Sequence, residues 1–328
     1  MRWFAVLVAL MSPIAFCANE PISNPKDTVV NILMFDGVQI IDYAAPYEVF
    51  AQAGFTIHTV SKDGKSVRAT QGLKSEVDHS FATAPAAQIV VVPGGHVHDV
   101  QNDAETLAWL RKQAGSAQQV MSVCTGSFIL GYSGLLDGGS ATTFHRALMP
   151  MQQAFPKVKV VSDRRWVDNG KVVTSAGLAS GIDTSLHVVA ELRGEKVARS
   201  VAMTLEYDWK PEGGFVRGAF ADRNFRMPST LRPPKDTEYD MVTSIGDAQT
   251  WEFTYLVESS MTPAQLFEQF ASQAKQDPAF QVKTNSGPDR LAWEFDSPFG
   301  GRWNYSFVAK PGDRPNRYWV VNTLSPAN

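Results

Sequence analysis

The sequence predicts an α/β domain built on a mostly parallel sheet with helices on both faces, followed by a small α+β domain. Short, continuous apolar runs at 28–35, 89–92 and 120–123 alternate with helical patterns, as strands buried on both faces do. Glycine and proline punctuate these runs at Pro93-Gly94-Gly95 and at Gly126. Beyond about residue 240 the pattern changes to several strands around one helix.

Residues 28–35 read as a strand, 43–53 as a helix and 55–61 as a strand. Residues 67–70 and 73–77 read as an edge hairpin, and 89–92 as a buried strand stopped by Pro93-Gly94-Gly95. A helix at 105–117 leads to the strand 120–123. Residues 165–167 and 171–174, joined by Asp168-Asn169-Gly170, form a hairpin with a turn-type dipeptide. Helices follow at 182–192 and 195–207, with Gly194 as the cap between them. Residues 209–234 hold Pro211, Gly213, Gly214, Pro228, Pro233 and Pro234 without a period, which reads as an extended connector. It wraps the first domain or links two domains. The second unit has a strand at 250–257, then a helix at 262–274 capped by Thr262 before Pro263. Leu266, Phe267 and Phe270 of that helix face the sheet. Strands at 280–283, 290–295, 302–309 and 318–323 complete it. Trp251, Trp293, Trp303 and Trp319 fall in strands, where core packing is favoured over a ligand-binding aromatic face. The resulting organisation is a first domain at 26–208, a connector at 209–240 and an accessory domain at 241–328. The accessory domain has no thiol or acid–base pair of its own.

A length of 328 residues suits two domains, and 44% hydrophobic with 19% charged residues suits an ordinary globular protein. A formal net charge of −3 gives no reason to expect nucleic acid or an anionic membrane as partner. No phosphate-cradling motif, Ser-His-Asp order or nucleic-acid motif is present. Residues 1–18 read as a secretory signal: Arg2 is basic, Trp3 to Met11 is apolar, and Ala15-Phe16-Cys17-Ala18 offers small residues for cleavage. That run is too short to span a membrane and no longer one follows, so no integral membrane segment is expected in the mature protein. The expected location is exported, periplasmic or secreted. Lipidation of Cys17 is the less favoured alternative, because bulky Phe16 precedes it. If Cys17 leaves with the signal, Cys124 is the one remaining cysteine and an intrachain disulfide is impossible.

Cys124 lies where a buried strand meets a helix, in Val120-Met121-Ser122-Val123-Cys124-Thr125-Gly126-Ser127-Phe128. Ser122 and Gly126 leave room for the sharp turn that presents a nucleophile in the serine version of the elbow. Unpaired N–H groups and the helix dipole there favour thiolate, the reactive form. The alternative is a buried, inert cysteine.

These residues, with Phe35-Asp36-Gly37, Ile41-Asp42, Pro46-Tyr47-Glu48-Val49-Phe50, Val92-Pro93-Gly94-Gly95, Gly134-Leu135-Leu136-Asp137-Gly138, Ala141-Thr142-Thr143 and Thr174-Ser175-Ala176-Gly177 leading to Gly181-Ile182-Asp183, carry a resemblance. From Val29 to about Asp208 the chain resembles the ThiJ/PfpI family of the class I glutamine amidotransferase-like superfamily. It is most similar to the isonitrile hydratase branch and to the amidase-like domain of AraC-type regulators. The resemblance implies a flavodoxin-like fold with a nucleophile elbow, a homodimer through this domain, a small-molecule substrate and no cofactor. It makes Cys124 the nucleophile, Asp42 its acidic partner, and Thr125 a residue implicated in the hydratase branch. It also pairs the N–H groups of Gly95 and Cys124 as an anion-stabilising hole. The family hosts several activities and some non-enzymes.

Chemistry supports part of this independently. A carboxyl at Asp42, beside a thiol and away from bulk water, has a raised pKa and can shuttle a proton. The alternative is that Asp42 caps a helix beginning at Tyr43. Three departures stand out. Ala45 replaces a usual glycine before Pro46, and His145 follows Phe144, one residue displaced from the usual histidine. The chain also continues into a connector and a strand-rich unit instead of paired DNA-reading helices. His96, His145 and Asp183 are candidate substrate-binding residues. His96 and His98 would lie at the mouth of the site, and a solvent-facing loop is favoured over metal binding there because no second cysteine or clear acidic ligand is near. Asp183 otherwise reads as a first-turn carboxylate favoured by the helix dipole.

The expected activity is therefore an exported cysteine-dependent hydratase, with thiolate attack on an isonitrile carbon giving an N-substituted formamide. The alternatives are a glyoxalase-like reaction on an α-oxoaldehyde, and a non-catalytic ligand-binding or redox-sensing protein.

Overall fold

The computed structural model describes residues 25–327 apart from 213 and 284–286. The signal reading of 1–18, Cys17 included, lies outside the described residues.

The first unit runs β1 (Val29–Leu33), α1 (Ile40–Gln52), β2 (Thr56–Ser61), β3 (Val67–Arg68), β4 (Lys74–Ser75), β5 (His79–Ser80), β6 (Ile89–Val92), α2 (Ala104–Ser116) and β7 (Gln119–Ser122). It continues through α3 (Gly126–Tyr132), β8 (Ser140–Ala141), α4 (Leu148–Ala154), β9 (Lys159–Val160), β10 (Trp166–Asp168), β11 (Val172–Ser175), α5 (Ser180–Arg193) and α6 (Glu195–Thr204). A seven-stranded sheet has the order β10-β11-β7-β6-β1-β2-β5. All its pairings are parallel except β10 with β11 at one edge. The central strands are buried on both faces, and Val30, Ile32, Val90, Val91, Val120 and Met121 are fully inaccessible, which is why they read as unbroken apolar runs. β1, β6 and β7 end side by side, so the segments that follow them, which hold Asp42 in the first turn of α1 and Gly94 and Cys124 in turns, meet at one sheet edge. In open α/β sheets such an edge is where ligands bind.

The second unit runs β12 (Glu238–Gly246), β13 (Trp251–Glu258), α7 (Pro263–Ala274), β14 (Phe280–Val282), β15 (Arg290–Asp296), β16 (Arg302–Pro311) and β17 (Arg317–Pro326). It is a six-stranded antiparallel sheet of order β12-β13-β17-β16-β15-β14. Inward and outward positions alternate strictly along β16 and β17, and α7 lays Leu266, Phe267 and Phe270 on the inward face. Thr262 and Gln265 form a reciprocal capping box at its start. Trp251, Trp293 and Trp303 are buried, whereas Trp319 points to the opposite, partly exposed face. β12 carries Tyr239, Met241, Val242 and Ile245 exposed, which erases the alternation that marks its neighbours.

The segment between the units is folded onto both, with short helical turns at Arg217–Ala219 and Ala221–Asn224 in place of a fully extended chain. Arg165 donates to the Phe215 carbonyl (2.5 Å) and Arg223 to Ser162 Oγ (3.1 Å). On the other side Ala221 N–H donates to Asp247 O (2.7 Å), and Arg217 lies 4.1 Å over the Trp251 ring.

Candidate active site

β7 stops at Ser122 and α3 starts at Gly126, leaving three residues for the turn. Cys124 adopts φ 56°, a left-handed conformation that costs a non-glycine residue free energy. Several contacts hold it there. Its N–H donates to Ala176 O (3.1 Å), and its carbonyl accepts from Thr143 Oγ1 (2.9 Å) and Ser127 Oγ (3.1 Å). Gly126 is required by close packing, since a Cβ there would fall 2.0 Å from Val92 O.

Asp42 is in the first turn of α1 and completely buried. Its Oδ2 accepts the Gly94 N–H (3.1 Å). Among the described residues its Oδ1 has no hydrogen bond of ordinary geometry, while the Cys124 thiol and the Leu178 N–H approach the carboxyl. Burial outweighs these contacts and raises its pKa to about 7. The helix begins at Ile40 with Gln39 as its cap, so Asp42 is a first-turn residue and not the cap of a helix starting at Tyr43.

The expectation of a ready thiolate is corrected. Burial, then the charge of Asp42, raise the Cys124 pKa, and the Thr125 N–H and hydroxyl oppose this only in part. The thiol is therefore held protonated. The dipole argument fails because α3 has only seven residues and the Cys124 N–H is spent on Ala176.

The anion-stabilising hole is corrected as well. Gly95 N–H donates to Thr125 Oγ1 (3.0 Å), and the Cys124 N–H is taken as above, so neither points at an open position. Thr125, through its hydroxyl to Gly95 O (3.1 Å) and its N–H facing the sulfur, is the residue that stands between them. Gly94 is constrained by the site residues themselves. A Cβ there would lie 2.6 Å from Thr125 N and Oγ1 and 2.9 Å from Asp42 Oδ2.

The other candidates part company. His96 and His98 are exposed, and His96 packs on Gly37. Among the described residues no group of three His, Cys, Asp or Glu side chains is placed to hold a metal ion. His145 lies against Phe144 (ring centroids 4.2 Å apart) and lines a cleft of about 340 Å³ with Asp222, Phe225 and Tyr255. Burial and the nearby Arg217 lower its pKa to about 4, so it is neutral there. Asp183 is not available to a substrate. Its Oδ2 accepts Arg165 Nε (2.8 Å) and Nη2 (2.5 Å) and the Tyr207 hydroxyl (2.9 Å), all in a buried cluster. Sequence reasoning missed Leu178, which adopts φ 56° and directs its N–H at Asp42, and Thr143 beneath the elbow. Leucine gives no signal for a left-handed position; the adjacent Gly177, closely faced by Phe144, was the one hint of a tight turn.

A model of the DJ-1/PfpI family matches residues 28–191. Isonitrile hydratase of Pseudomonas putida is 38% identical over 183 residues, covering 54% of this chain and 78% of that protein. The HTH-type transcriptional regulator GbdR of Pseudomonas aeruginosa is 29% identical over 200 residues, 59% of this chain but only 54% of the regulator. Among solved structures, a THiJ/PfpI family protein from Pseudomonas syringae aligns with a TM-score of 0.53 at 30% identity, over 62% of this chain and 86% of that one.

Proposed function

We propose, since this chain belongs to the DJ-1/PfpI family, that it is a cysteine-dependent hydratase acting on a small electrophilic carbon, an isonitrile in the first instance. The observation that carries the reading is the pair itself: a thiol fixed on a strained elbow against a buried carboxyl that titrates near neutrality. The similarity to an isonitrile hydratase supports the substrate class. Asp42 takes the thiol proton as sulfur attacks the terminal carbon, then delivers it to that carbon, giving a thioformimidate, R–N=CH–S–Cys. Water then adds to the same carbon; Asp42 takes one of its protons and passes it to the imine nitrogen, giving R–NH–CH(OH)–S–Cys. The C–S bond breaks, the thiol regains a proton, and R–NH–CHO leaves. The thiol proton ends on carbon, and the two protons of water end on nitrogen and sulfur, each by way of Asp42, so the thiol begins and ends the cycle neutral. Export to the periplasm or beyond, and a homodimer through the first unit, belong to the same reading. The test follows formamide release from a simple alkyl isonitrile by the intact protein and by Cys124→Ala. Turnover that falls by roughly 10⁴-fold or more in the variant supports it. No turnover by the intact protein refutes the substrate, and turnover surviving the substitution refutes the mechanism. Hydration of an α-oxoaldehyde is the enzymatic alternative, measured in the same assay.

A second reading, a ligand-binding or thiol-sensing protein, is favoured by the occupied N–H groups of Gly95 and Cys124, which leave no open oxyanion cradle. Mass spectrometry of the protein taken from its own compartment separates the two. A sulfinic acid at Cys124 supports sensing, and a fully reduced thiol with turnover rejects it.

A further inference from the structure

The cleft of about 340 Å³ that holds His145 lies where the two units meet. His145 and Arg146, in the helical turn ahead of α4, form one wall. Phe253 and Tyr255 of β13 and Phe299 of the β15–β16 turn form the other, and Arg223 comes from the segment between the units. Neither Cys124 nor Asp42 lines it. Its charge is the anomaly. Among the described residues Asp222 is the one carboxylate in the lining, and both its oxygens are spent on Arg217 (2.5 and 2.6 Å). Arg223 is half-buried, 5.8 Å over the Phe299 ring, and among the described residues has no carboxylate within ion-pair distance. Its Nη1 donates to Ser162 Oγ and its Nε is enclosed by protein, but Nη2 is neither bonded nor enclosed. A half-buried cation without an anion is costly. Arg146 is exposed and likewise has no carboxylate partner among the described residues. The surplus is felt at His145: burial first, then Arg217 and Arg146, disfavour a proton there, and Asp222 opposes them only in part. The charge of Arg146 also acts on Tyr255, on the opposite wall.

We propose that this cleft binds a planar aromatic carboxylate, its ring between the aromatic wall and His145, its carboxylate on Arg223 with Arg146 at the rim. A guanidinium meets a carboxylate through parallel N–H···O bonds and also stacks on rings, so cations and aromatic side chains in one cleft suit a ligand that carries both features. The volume lies at the lower end of pockets that hold small organic molecules, which favour junctions between domains. A cationic ligand would meet two unpaired arginines, and an uncharged ring would leave both without a partner. His145, neutral in the cleft, offers a ring face without adding charge. The inference is independent of any reaction at Cys124.

Ligand-observed NMR and calorimetry on the full chain test it, with 2-naphthoate, 2-naphthalenemethanol and acetate as probes. Saturable binding of 2-naphthoate is expected, with binding about tenfold weaker or more for the alcohol, which lacks the charge, and for acetate, which lacks the ring. Arg223→Gln is expected to weaken 2-naphthoate by about tenfold or more and to leave the alcohol unchanged, a difference that a merely structural role would not produce. Arg146→Gln is expected to weaken it by about threefold, as an exposed charge does. That side chain is exposed, so this variant decides if Arg223→Gln fails to fold. Cys124→Ala is expected to bind as the parent does. Absence of saturable 2-naphthoate binding by the parent overturns the site. Equal affinity of the parent for the acid and the alcohol overturns the role of the arginines. Parent-like affinity in the arginine variants places the anion elsewhere, and loss of binding in Cys124→Ala places it at the elbow; either result overturns the assignment.

Discussion

In the parallel unit the space beside Cys124 is shaped by backbone. Gly94 has no room for a Cβ, Cys124 and Leu178 sit in left-handed conformations, and the polar contacts run through N–H and carbonyl groups. In the antiparallel unit the space is shaped by side chains: aromatic rings on an alternating sheet face, with Tyr305 and Asn322 as its polar pair. The first kind of site fails when one atom is added. The second fails when bulk is removed or rearranged.

Gly94→Ala is the sharpest way to break the comparison. The added methyl meets Thr125 backbone as well as Asp42, so it cannot be absorbed by a rotamer change. A loss of turnover of about 100-fold or more is expected with the second unit's thermal transition unchanged. Trp293→Ala attacks the other unit. The ring is wholly buried against Phe280, Tyr305 and Phe307, and about 3–5 kcal/mol of that unit's stability is expected to go, read by denaturant unfolding, while Cys124 chemistry survives.

The third test uses pH. Asp42 binds its proton more tightly in the folded protein, at about 7, than an ordinary carboxyl near 3.8. Protonation therefore favours folding. Its contribution is complete below about pH 4 and is lost as pH rises through 7, by at most about 4 kcal/mol at 1.4 kcal/mol per unit. Asp42→Asn is expected to flatten that slope in urea titrations between pH 4 and 7; an unchanged slope assigns it to other groups. The smallest effect expected is for Thr143→Val, which removes one hydrogen bond to the Cys124 carbonyl. It should cost about 1 kcal/mol and raise the reactivity of the thiol to alkylating agents.

Much of the frame was legible because burial wrote it into the sequence. Strands covered on both faces read as β1, β6 and β7, and the capped α7 was announced by Thr262, Pro263 and its apolar stripe. β12 was not read as a strand at all, because a strand exposed on both faces has no period. Within the site, Cys124 and Asp42 were legible as a pair, yet the protonation of the thiol was not. Local spacing shows the helix dipole but hides the depth of burial at the thiol, the larger effect and the one that outweighs it. The Gly95–Thr125 bond and the Asp183–Arg165 pair were hidden for a related reason. Each joins segments far apart in the chain, and neither leaves a local pattern.

The elbow's many supports have a kinetic consequence. Its contacts come from residues 42, 94–95, 143 and 176–178, which lie on separate crossings of one sheet. No short segment can swing away and bare the sulfur while the others stay in place. With Cys124 only 7% accessible, the slow arrival of a maleimide at that atom would report the opening of the entire first unit, not the breathing of a loop.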